Sequence, residues 1–450
     1  MRRRQRTRNG APPLFLPPNV TAALGIESPA LLEALAQEPP VSIRLHPLKA
    51  AHWHGDPVPW CPQGRYLPER PVFTLDPLLH AGAYYVQEAS SMLLEQAFRR
   101  SGIGDRAVLA LDLCAAPGGK STHLAALLSR RSLLVSNEPV PARQPALQEN
   151  LWKQGYPNVV ITGAAPAAFL EVPHTGFDLI LVDAPCSGEG MFRKEPYARA
   201  QWTERLVAGC ARTQADILGT AWELLAPGGH LIYSTCTWEM AENEDQVQRL
   251  VNAGASVLPM ATDPRWGVVE GPLGCRCYPH RIRGEGLFMA LLQKDGHTPD
   301  RTIDPAVLNG PSDTDGWIET GFSIRTQEVG DMRFAVPSQW AAWVEELRRR
   351  VPVLSSGTPV AERKGLAWRP HPALALSNVL KASAFTAWEV GHEETLAYLR
   401  GGTDLPGAPP PGPATPHLLL RHQGHGLGWM HAAGARWNNG WPKPWRIRMR

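Results

Sequence analysis

Long apolar runs are missing from this chain: among its 450 residues, no hydrophobic stretch reaches the roughly 18 residues that a membrane-spanning helix needs. The basic start M-R-R-R-Q-R-T-R-N-G lacks the apolar segment and cleavage site of a secretory signal peptide, so we interpret it as a flexible arm. No internal repeat is detectable. These absences argue against a membrane, exported or repeat protein and predict a cytoplasmic one.

Cysteine is scarce, with seven residues scattered along the chain. An odd number of cysteines without an export signal favours reduced thiols over a disulfide framework. Cys275 and Cys277 form C-x-C near His280, but no second ligand pair follows at zinc spacing, so no metal site is expected. The cysteines interpreted first as small, partly buried apolar residues are Cys61, Cys114 and Cys210.

A large excess of charge of either sign is also missing, because the formal net charge is only +3. Basic residues are concentrated locally in the N-terminal arm, around Arg281 and Arg283, and in the last segment P-K-P-W-R-I-R-M-R. Such clusters are most often solvated surface. Arginine interleaved with tryptophan at the C-terminus nevertheless favours nucleic acid as a partner.

The chain is long enough for roughly two to four folding units. We predict a small α+β domain over residues 1–85, an α/β domain over 86–295, a polar connecting region over 296–375 and a small β-rich module over 376–450. In the first unit, V-S-I-R-L-H-P-L and R-Y-L-P-E-R-P-V-F-T-L are predicted to pair as strands. The connecting region contains one amphipathic helix, Q-W-A-A-W-V-E-E-L-R-R-R, and L-P-G-A-P-P-P-G-P-A-T-P is interpreted as a surface loop of the last module.

The α/β domain is predicted from short apolar runs that alternate with helical stretches. The runs are V-L-A-L-D-L, S-L-L-V-S-N, N-V-V-I-T, D-L-I-L-V-D and H-L-I-Y-S-T. Strands of this kind, separated by helices, predict a buried and mainly parallel sheet. A further run, G-L-F-M-A-L-L-Q-K, is expected to complete the sheet at one side.

A glycine-rich turn, L-D-L-C-A-A-P-G-G-K-S-T, follows the first of these strands and opens a helix. Gly118 and Gly119 allow a ligand to approach the backbone, and the helix amides point towards it. The string nearly matches a phosphate-binding P-loop, which makes a nucleotide hydrolase a real alternative. Glu138, at the end of the next strand, instead favours a nucleoside cofactor whose ribose hydroxyls it would hold.

Two cysteines follow two later strands, in D-A-P-C-S-G-E-G and S-T-C-T. A thiolate that adds to C6 of cytosine makes C5 nucleophilic, and this chemistry requires a nucleophile, an acid near N3 and a base. Cys236, Asp183 and Cys186 could supply these three groups in that order. Either cysteine taken alone is more often structural.

These motifs resemble a known family. C-A-A-P-G-G-K, D-A-P-C-S-G-E-G and S-T-C-T followed by E-N-E resemble the RNA cytosine-5 methyltransferases of the NOL1/NOP2/Sun family. H-A-G-A-Y-Y-V-Q-E-A-S-S-M, F-R-K-E-P and P-H-R-I-R-G-E-G point to its bacterial small-subunit rRNA branch, and the segment G-L-G-W-M…N-N-G-W-P-K-P-W-R-I-R resembles that branch's PUA-like RNA-binding module.

The resemblance implies a fold, a cofactor and residue roles. The core should be a Rossmann-like class I methyltransferase that binds S-adenosylmethionine, flanked by an RNA-binding N-terminal domain and a PUA-like C-terminal domain. Glu138 would hold the ribose, and Asp183 would lie between the cofactor and the base. Cys236 matches the family nucleophile and Cys186 the cysteine that assists product release, although related DNA enzymes use their Pro-Cys loop to attack. The residues expected around the methionine moiety are Cys114, Ala115, Ala116, Pro117, Gly118, Gly119 and Lys120.

One position departs from the family pattern. The acidic residue usually found near the adenine is replaced at about Ala165, within I-T-G-A-A-P-A-A-F. The expected substrate is small-subunit rRNA, either free or within the assembled subunit, methylated by a monomer. A tRNA methyltransferase, a non-catalytic RNA-binding assembly factor and the P-loop hydrolase are the alternatives.

Overall fold

The structure is a computed structural model. The residues that it describes are 13–49, 53–173, 176–298, 301, 316–319, 323–403, 405, 416–433 and 436–449. The basic arm at the start of the chain and most of the proline-rich stretch, residues 406–415, lie outside them.

An N-terminal unit contains three short helices and a small antiparallel sheet, whose strands in spatial order begin at Asp56, Cys61, Val41 and Tyr84. The predicted pairing is confirmed, since Val41 lies opposite Leu67. The second predicted strand ends there, and Phe73–Leu75 forms a 3-10 turn instead. The elements are α1 (Pro18–Leu24), α2 (Ser28–Ala36), β1 (Val41–Leu45), β2 (Asp56–Val58), β3 (Cys61–Leu67), α3 (Pro77–His80) and β4 (Tyr84–Tyr85).

The central unit alternates strands and helices, as the apolar runs predict. Its first part contains α4 (Leu94–Arg100), β5 (Leu109–Asp112), α5 (Gly119–Leu127), β6 (Leu133–Asn137), α6 (Gln144–Gln154), β7 (Val159–Thr162) and β8 (Phe177–Asp183). Its second part contains α7 (Pro196–Gln201), α8 (Glu204–Leu224), β9 (Leu225–Thr235), α9 (Glu244–Asn252), β10 (Ala255–Leu258), β11 (Val269–Gly271), β12 (Gly274–Cys277) and β13 (Leu287–Lys294).

The strands β9, β8, β5, β6 and β7 are adjacent in this order and parallel. Successive side chains of β8 alternate between two cores: Leu179 and Leu181 pack on one face, Ile180 and Val182 on the other. Burial on both faces explains why this run is continuously apolar. The strand order reverses between β5 and β8, so the crevice at their carboxyl ends is the expected ligand site of such a sheet.

The sequence analysis expected the last apolar run of the domain to complete the sheet at one side. The structure places this run, β13, inside the sheet instead. β13 lies antiparallel to β9, and both β12 and β10 pair with β13. The run therefore occupies the interior of one half of the sheet. The sequence analysis expected an edge position because β10, β11 and β12 are short and carry weak apolar patterns, so these strands were not recognised.

The region expected to be a connection contains a sheet of its own. Its elements are β14 (Ile324–Val329), β15 (Met332–Pro337), α10 (Ala341–Arg350), β16 (Val353–Ser356), β17 (Thr358–Lys364) and β18 (Ala367–Pro370). β14, β15, β17 and β18 pair in this order, whereas β16 joins β7 at the edge of the central sheet. The predicted amphipathic helix is α10, whose Val344 and Leu347 are fully buried.

The C-terminal unit is β-rich and is built around tryptophan. Trp429 and Trp441 are nearly inaccessible to solvent and pack in two adjoining clusters. The elements are α11 (Pro372–Leu376), β19 (Thr386–Glu389), α12 (His392–Leu399), β20 (His417–His422), β21 (His425–Ala433) and β22 (Arg436–Asn439). Over the described part of the chain, no helix combines the length and apolar character needed to cross a membrane.

Candidate active site

A cleft of about 1080 Å³ opens at the carboxyl ends of β5, β8 and β9, between the central sheet and the N-terminal unit. We refer to it as the catalytic cleft. The predicted site residues that line it are Cys114, Ala115, Ala116, Pro117, Gly119, Lys120, Asp183 and Cys236. Gly118, Glu138 and Cys186 are not among its lining residues.

The glycine-rich turn forms the floor of this cleft. Gly118 adopts a left-handed conformation with φ +112°, which a residue with a side chain rarely tolerates, and α5 begins at the next residue. The turn is tied to its surroundings because Ala115 N donates to Asn137 O (2.8 Å) and Asn150 Nδ2 donates to Pro117 O (2.8 Å). These bonds present the first turn of α5 to a ligand.

The N-terminal unit braces this same turn. Arg44 of β1 is fully buried and donates to Gly119 O (3.0 Å) and to Thr122 Oγ1 (2.8 Å). The ring of Tyr85 lies against the position of a Cβ on Gly119, at 3.4 Å. A Cβ at position 119 would therefore be in van der Waals contact with the Tyr85 ring. The sequence analysis missed both residues because they lie outside the central domain.

Asp112, at the end of β5, is a cleft residue that the sequence analysis also missed. Burial raises the pKa of its carboxyl to about 7, against the hydrogen bond that Ser121 Oγ donates at 2.5 Å. Its position directly before the glycine-rich turn was the available signal. A carboxyl there lies close to the amides of α5.

Glu138 lies behind the cleft surface, where it is only 1% exposed. Its Oε1 accepts from Val140 N (2.9 Å), whereas Oε2 lies 3.3 Å from the Arg143 guanidinium without a hydrogen bond. Arg143 in turn donates to Ala116 O (2.5 Å), which joins the carboxylate to the glycine-rich turn. A buried carboxylate oxygen without a hydrogen-bond donor fits a hydroxyl of a bound ribose.

The structure also describes the region around Ala165, where the family usually has an acidic residue near the adenine. Ala165 is exposed and directs no polar side chain at the site. The neighbouring backbone is held by Asn137, whose side chain accepts from Ala164 N (2.9 Å) and donates to Ala164 O (2.9 Å). At position 165 the chain therefore offers a ligand only backbone groups and packing.

Lys120 and Asp183 form an ion pair on the cleft wall. Lys120 Nζ lies 2.8 Å from Asp183 Oδ1, which also accepts from Ser234 Oγ (2.8 Å). Burial lowers the pKa of Lys120, but the charge and hydrogen bond of Asp183 outweigh burial and hold that pKa above its ordinary value. The lysine therefore remains charged and neutralises Asp183.

The two cysteines of the predicted site are in contact. The Sγ atoms of Cys186 and Cys236 lie 3.1 Å apart, and Cys236 N donates to Cys186 Sγ (3.3 Å). The hydrogen bond to Cys236, together with burial, raises the pKa of the Cys186 thiol well above its usual range. Cys186 therefore keeps its proton, and Cys236 is the sulfur that faces the catalytic cleft.

A buried polar network joins the loops that carry the two thiols. Ser187 Oγ contacts both carboxylate oxygens of Glu189 (2.9 and 3.0 Å), one oxygen of Glu242, and Thr237 Oγ1 (3.0 Å). Glu242 Oε2 accepts from Ser187 N (3.1 Å) and from Gln214 Nε2 (2.8 Å). Burial raises the pKa of Glu242 to about 7, and the neighbouring Glu189 contributes in the same direction. Glu242 therefore titrates near neutral pH and is protonated below it.

Close backbone contacts complete the pocket around Cys236. Gly190 N donates to Cys236 O (2.8 Å), and a Cβ on Gly190 would lie 2.7 Å from that oxygen. The buried Glu285 accepts from Arg193 Nε (3.1 Å), and its own backbone N donates to Glu88 Oε1 (2.9 Å). The motifs around positions 88, 193 and 285 are therefore brought together at one rim of the cleft.

Other sequence candidates lie away from the cleft chemistry. Cys275 and Cys277 are buried in β12, while His280 contacts Glu27 (2.9 Å). Arg281 pairs with the same Glu27. Arg283 pairs with Asp56 (2.6 Å) and lies over the Tyr66 ring, 4.4 Å from its centroid. These two arginines are thus engaged within the protein.

A buried cluster outside the cleft consists of Cys61, Glu95 and His123, whose potential metal-ligating atoms lie within 4.8 Å of one another. Burial opposes the charge of Glu95, but hydrogen bonds from His123 and Arg99 outweigh it and lower the pKa of Glu95 to about 2. Burial lowers the pKa of His123 to about 4, so its ring is neutral. The carboxylate is therefore already satisfied by protein donors.

The parallel sheet, the glycine-rich turn at its switch point and the buried Glu138 oxygen fit a nucleoside cofactor. Seven acidic side chains line the catalytic cleft against four basic ones, a balance that suits a sulfonium cation better than a triphosphate. The expected Rossmann-like core is confirmed. The fold and the site together define an S-adenosylmethionine-dependent methyltransferase.

Comparison with known families agrees with this class. Family models match residues 12–89 ("N-terminal domain of 16S rRNA methyltransferase RsmF"), 105–293 ("16S rRNA methyltransferase RsmB/F") and 385–447 ("Methyltransferase RsmF PUA domain"). The last match identifies the β-rich C-terminal unit as PUA-like. The chain belongs to the ribosomal RNA small subunit methyltransferase F family, because proteins of that name are 31% identical to it over most of both chains.

The protein of that name from Serratia proteamaculans is 31% identical and aligns over 96% of both chains. Its namesake from Erwinia tasmaniensis is 31% identical over 87% of this chain and 85% of its own length. Among solved structures, a methyltransferase homologue from Pyrococcus horikoshii is 26% identical, with a TM-score of 0.53, over 61% of this chain and 93% of its own. NSun6 from the same organism, solved with SFG, shares the fold with a TM-score of 0.53 at 20% identity, over 62% of this chain and 99% of its own.

Proposed function

We propose that this protein methylates C5 of a cytosine in small-subunit rRNA through a covalent bond between Cys236 and C6. The observation that carries the proposal is the pair of sulfurs 3.1 Å apart, of which Cys236 faces the catalytic cleft and Cys186 retains a proton. The relatives named for small-subunit rRNA support the choice of RNA. A PUA-like unit supports an RNA substrate in general.

The reaction begins when the Cys236 thiolate bonds to C6 of the cytosine. The electron pair of the C5–C6 double bond moves between C4 and C5 while N3 takes up a proton from water, and the Asp183 carboxylate, held by Lys120 and Ser234, accepts a hydrogen bond from this N3–H. Bound S-adenosylmethionine supplies the electrophilic methyl group that C5 takes up. The proton on C5 then leaves to water in the open cleft, C5=C6 re-forms as the C6–S bond breaks with its electron pair on sulfur, and N3 returns its proton to water.

Cys186 acts in that last step as a hydrogen-bond donor. The sequence analysis gave it the part of a base, but its raised pKa and its position outside the cleft lining favour a thiol. Its S–H stabilises the departing Cys236 thiolate, which is the better leaving group once it accepts a hydrogen bond. The part that the family resemblance implies, assistance of product release, agrees with this geometry.

The test compares two single variants with in vitro transcribed small-subunit rRNA and S-adenosylmethionine. Cys186→Ala should accumulate a covalent RNA–protein adduct that resists denaturing electrophoresis, because expulsion of Cys236 stalls. Cys236→Ala should form no adduct and transfer no methyl group, with S-adenosylmethionine binding retained. Adduct formation by Cys236→Ala and none by Cys186→Ala would exchange the two roles.

The substrate is tested in parallel reactions of the wild-type protein with the rRNA transcript, isolated small subunits and bulk tRNA. Bisulfite mapping of each product should show 5-methylcytosine in the small-subunit rRNA. Methylation confined to tRNA would overturn the choice of substrate and leave the chemistry intact. Absence of 5-methylcytosine from all three would overturn the proposed reaction.

A further inference from the structure

A second cleft, of about 500 Å³, lies where three parts of the chain meet. The N-terminal unit, helix α6 and the final segment Pro444–Met449 form its walls, and we refer to it as the tail cleft. Residues from each wall are Tyr85 and His80, Asn150 and Lys153, and Trp445 and Arg448. The cleft therefore exists only when the C-terminal segment is docked on the rest of the protein.

The tail cleft continues from the catalytic cleft. Tyr85 and Val86 line both of them. Asn150, which lines the tail cleft, also holds the glycine-rich turn through Pro117 O (2.8 Å). The two clefts therefore adjoin each other at Tyr85 and Val86.

The two clefts differ in charge. The catalytic cleft is lined by more acidic than basic side chains, which disfavours a phosphate backbone. In the tail cleft Lys153, Arg446 and Arg448 stand against one acid, Glu149, and this acid is paired with Lys153 at 2.6 Å. The attraction for a polyanion therefore lies in the tail cleft.

The arginines of the tail are placed for such contacts. Arg448 is exposed, and the buried Nε of Arg446 has no hydrogen-bond partner. Trp445 is half-buried and carries the Lys153 ammonium 5.6 Å from its ring centroid. Arginine beside aromatic rings in a groove is typical of single-stranded nucleic-acid binding, where phosphates contact arginine and bases contact the rings.

We propose that a single-stranded stretch of the substrate RNA next to the target nucleotide binds in the tail cleft, with its phosphates on Arg446 and Arg448. This inference rests on the proposed RNA substrate. It assigns the C-terminal segment to one continuous RNA path with the catalytic cleft. The target base enters the acidic cleft, and the flanking backbone remains in the basic one.

The test measures filter binding of labelled small-subunit rRNA transcript to the full-length protein at several salt concentrations. Arg448→Glu should weaken binding by about tenfold or more and lower the slope of log K against log salt by about one, since one phosphate contact is lost. Calorimetric S-adenosylmethionine binding should not change. Arg448→Lys should stay within about threefold of the wild type, because the charge is kept.

The matched control is Lys443→Glu, which places the same charge change in the same tail at an exposed residue outside the tail-cleft lining. It should alter rRNA binding by less than about twofold. Equal losses for Arg448→Glu and Lys443→Glu, or a loss in Arg448→Lys as large as in Arg448→Glu, would overturn the tail-cleft proposal. A wild-type protein that binds no rRNA would overturn the proposed substrate instead.

Discussion

Two sites in the molecule each combine a thiol with a buried carboxyl, and they have opposite chemistry. Cys186 and Cys236 adjoin Glu242 and open to the catalytic cleft through Cys236. Cys61 adjoins Glu95, is 0% exposed, and has its pKa raised to about 12 by burial and by that carboxylate. Both groups combine a thiol with an acid, so residue type alone does not separate them.

Access and protonation separate the two groups. Glu95 is a charged carboxylate that accepts hydrogen bonds from Arg99 and His123, which makes the Cys61 cluster a closed structural network. Glu242 has its pKa raised to about 7 by burial and shares Ser187 with Glu189, which fixes two loops beside the thiols. A thiol becomes reactive where a fixed network leaves one sulfur facing a cleft.

The largest expected difference is in alkylation by iodoacetamide. Cys236 should react at least about 1000-fold faster than Cys61 in the native protein, because Cys61 becomes accessible only on unfolding. Peptide mass spectrometry at successive times measures both rates. After denaturation in guanidinium the two should react alike, and equal native rates would remove the distinction between the groups.

A smaller effect concerns the proton on Glu242. Its pKa is raised from 4.5 to about 7 in the folded protein, so the native state holds a proton that the unfolded state has released. The contribution of this group to stability is therefore complete below about pH 4.5 and falls by up to about 3 kcal/mol as pH rises through 7. Glu242→Gln, which cannot ionise, should gain melting temperature relative to the wild type across that window.

The control for this prediction is Glu244→Gln in the same E-N-E motif, where the acid forms an ion pair with Arg276. Its melting temperature relative to the wild type should not rise between pH 5 and 8. A Glu242→Gln variant that loses stability with rising pH, as the wild type does, would contradict a protonated Glu242. Scanning fluorimetry at several pH values measures both variants.

The smallest expected effect is that of metal. Removal of metal with a chelator, or addition of zinc, should change the melting temperature by less than about 1 °C, because the Glu95 carboxylate is satisfied by protein donors. A zinc-dependent rise that disappears in Cys61→Ala would make the Cys61 cluster a metal site. Such a result would reverse the comparison between the two groups.

Much of the fold follows from local pattern. The runs that became β5, β6, β7, β8 and β9 are short, apolar and separated by helical stretches, and this pattern allows few arrangements other than a parallel sheet. The interior position of β13 could not be predicted in this way, since it depends on pairing with β10 and β12, two short strands of weak pattern. The sheet formed within residues 324–370 was missed because its strands mix polar and apolar residues without a clear strand pattern.

The site was predictable to a different extent for each residue. The glycine-rich turn, Asp183 and Cys236 were recognisable because they directly follow strands and face the cleft that strand ends create. Arg44, Tyr85 and the tail cleft were not, because they belong to segments far along the chain that meet the turn only in the folded protein.

The sequence by itself determined the parallel sheet, the class of cofactor and the presence of two cysteines at neighbouring strand ends. These features depend on burial patterns and backbone preferences that act over a few residues. Only the tertiary structure decided that the two sulfurs are 3.1 Å apart, that Cys236 faces the cleft and that Cys186 stays protonated. Distances and proton positions of this kind arise from packing and hydrogen bonds between segments some 50 residues apart.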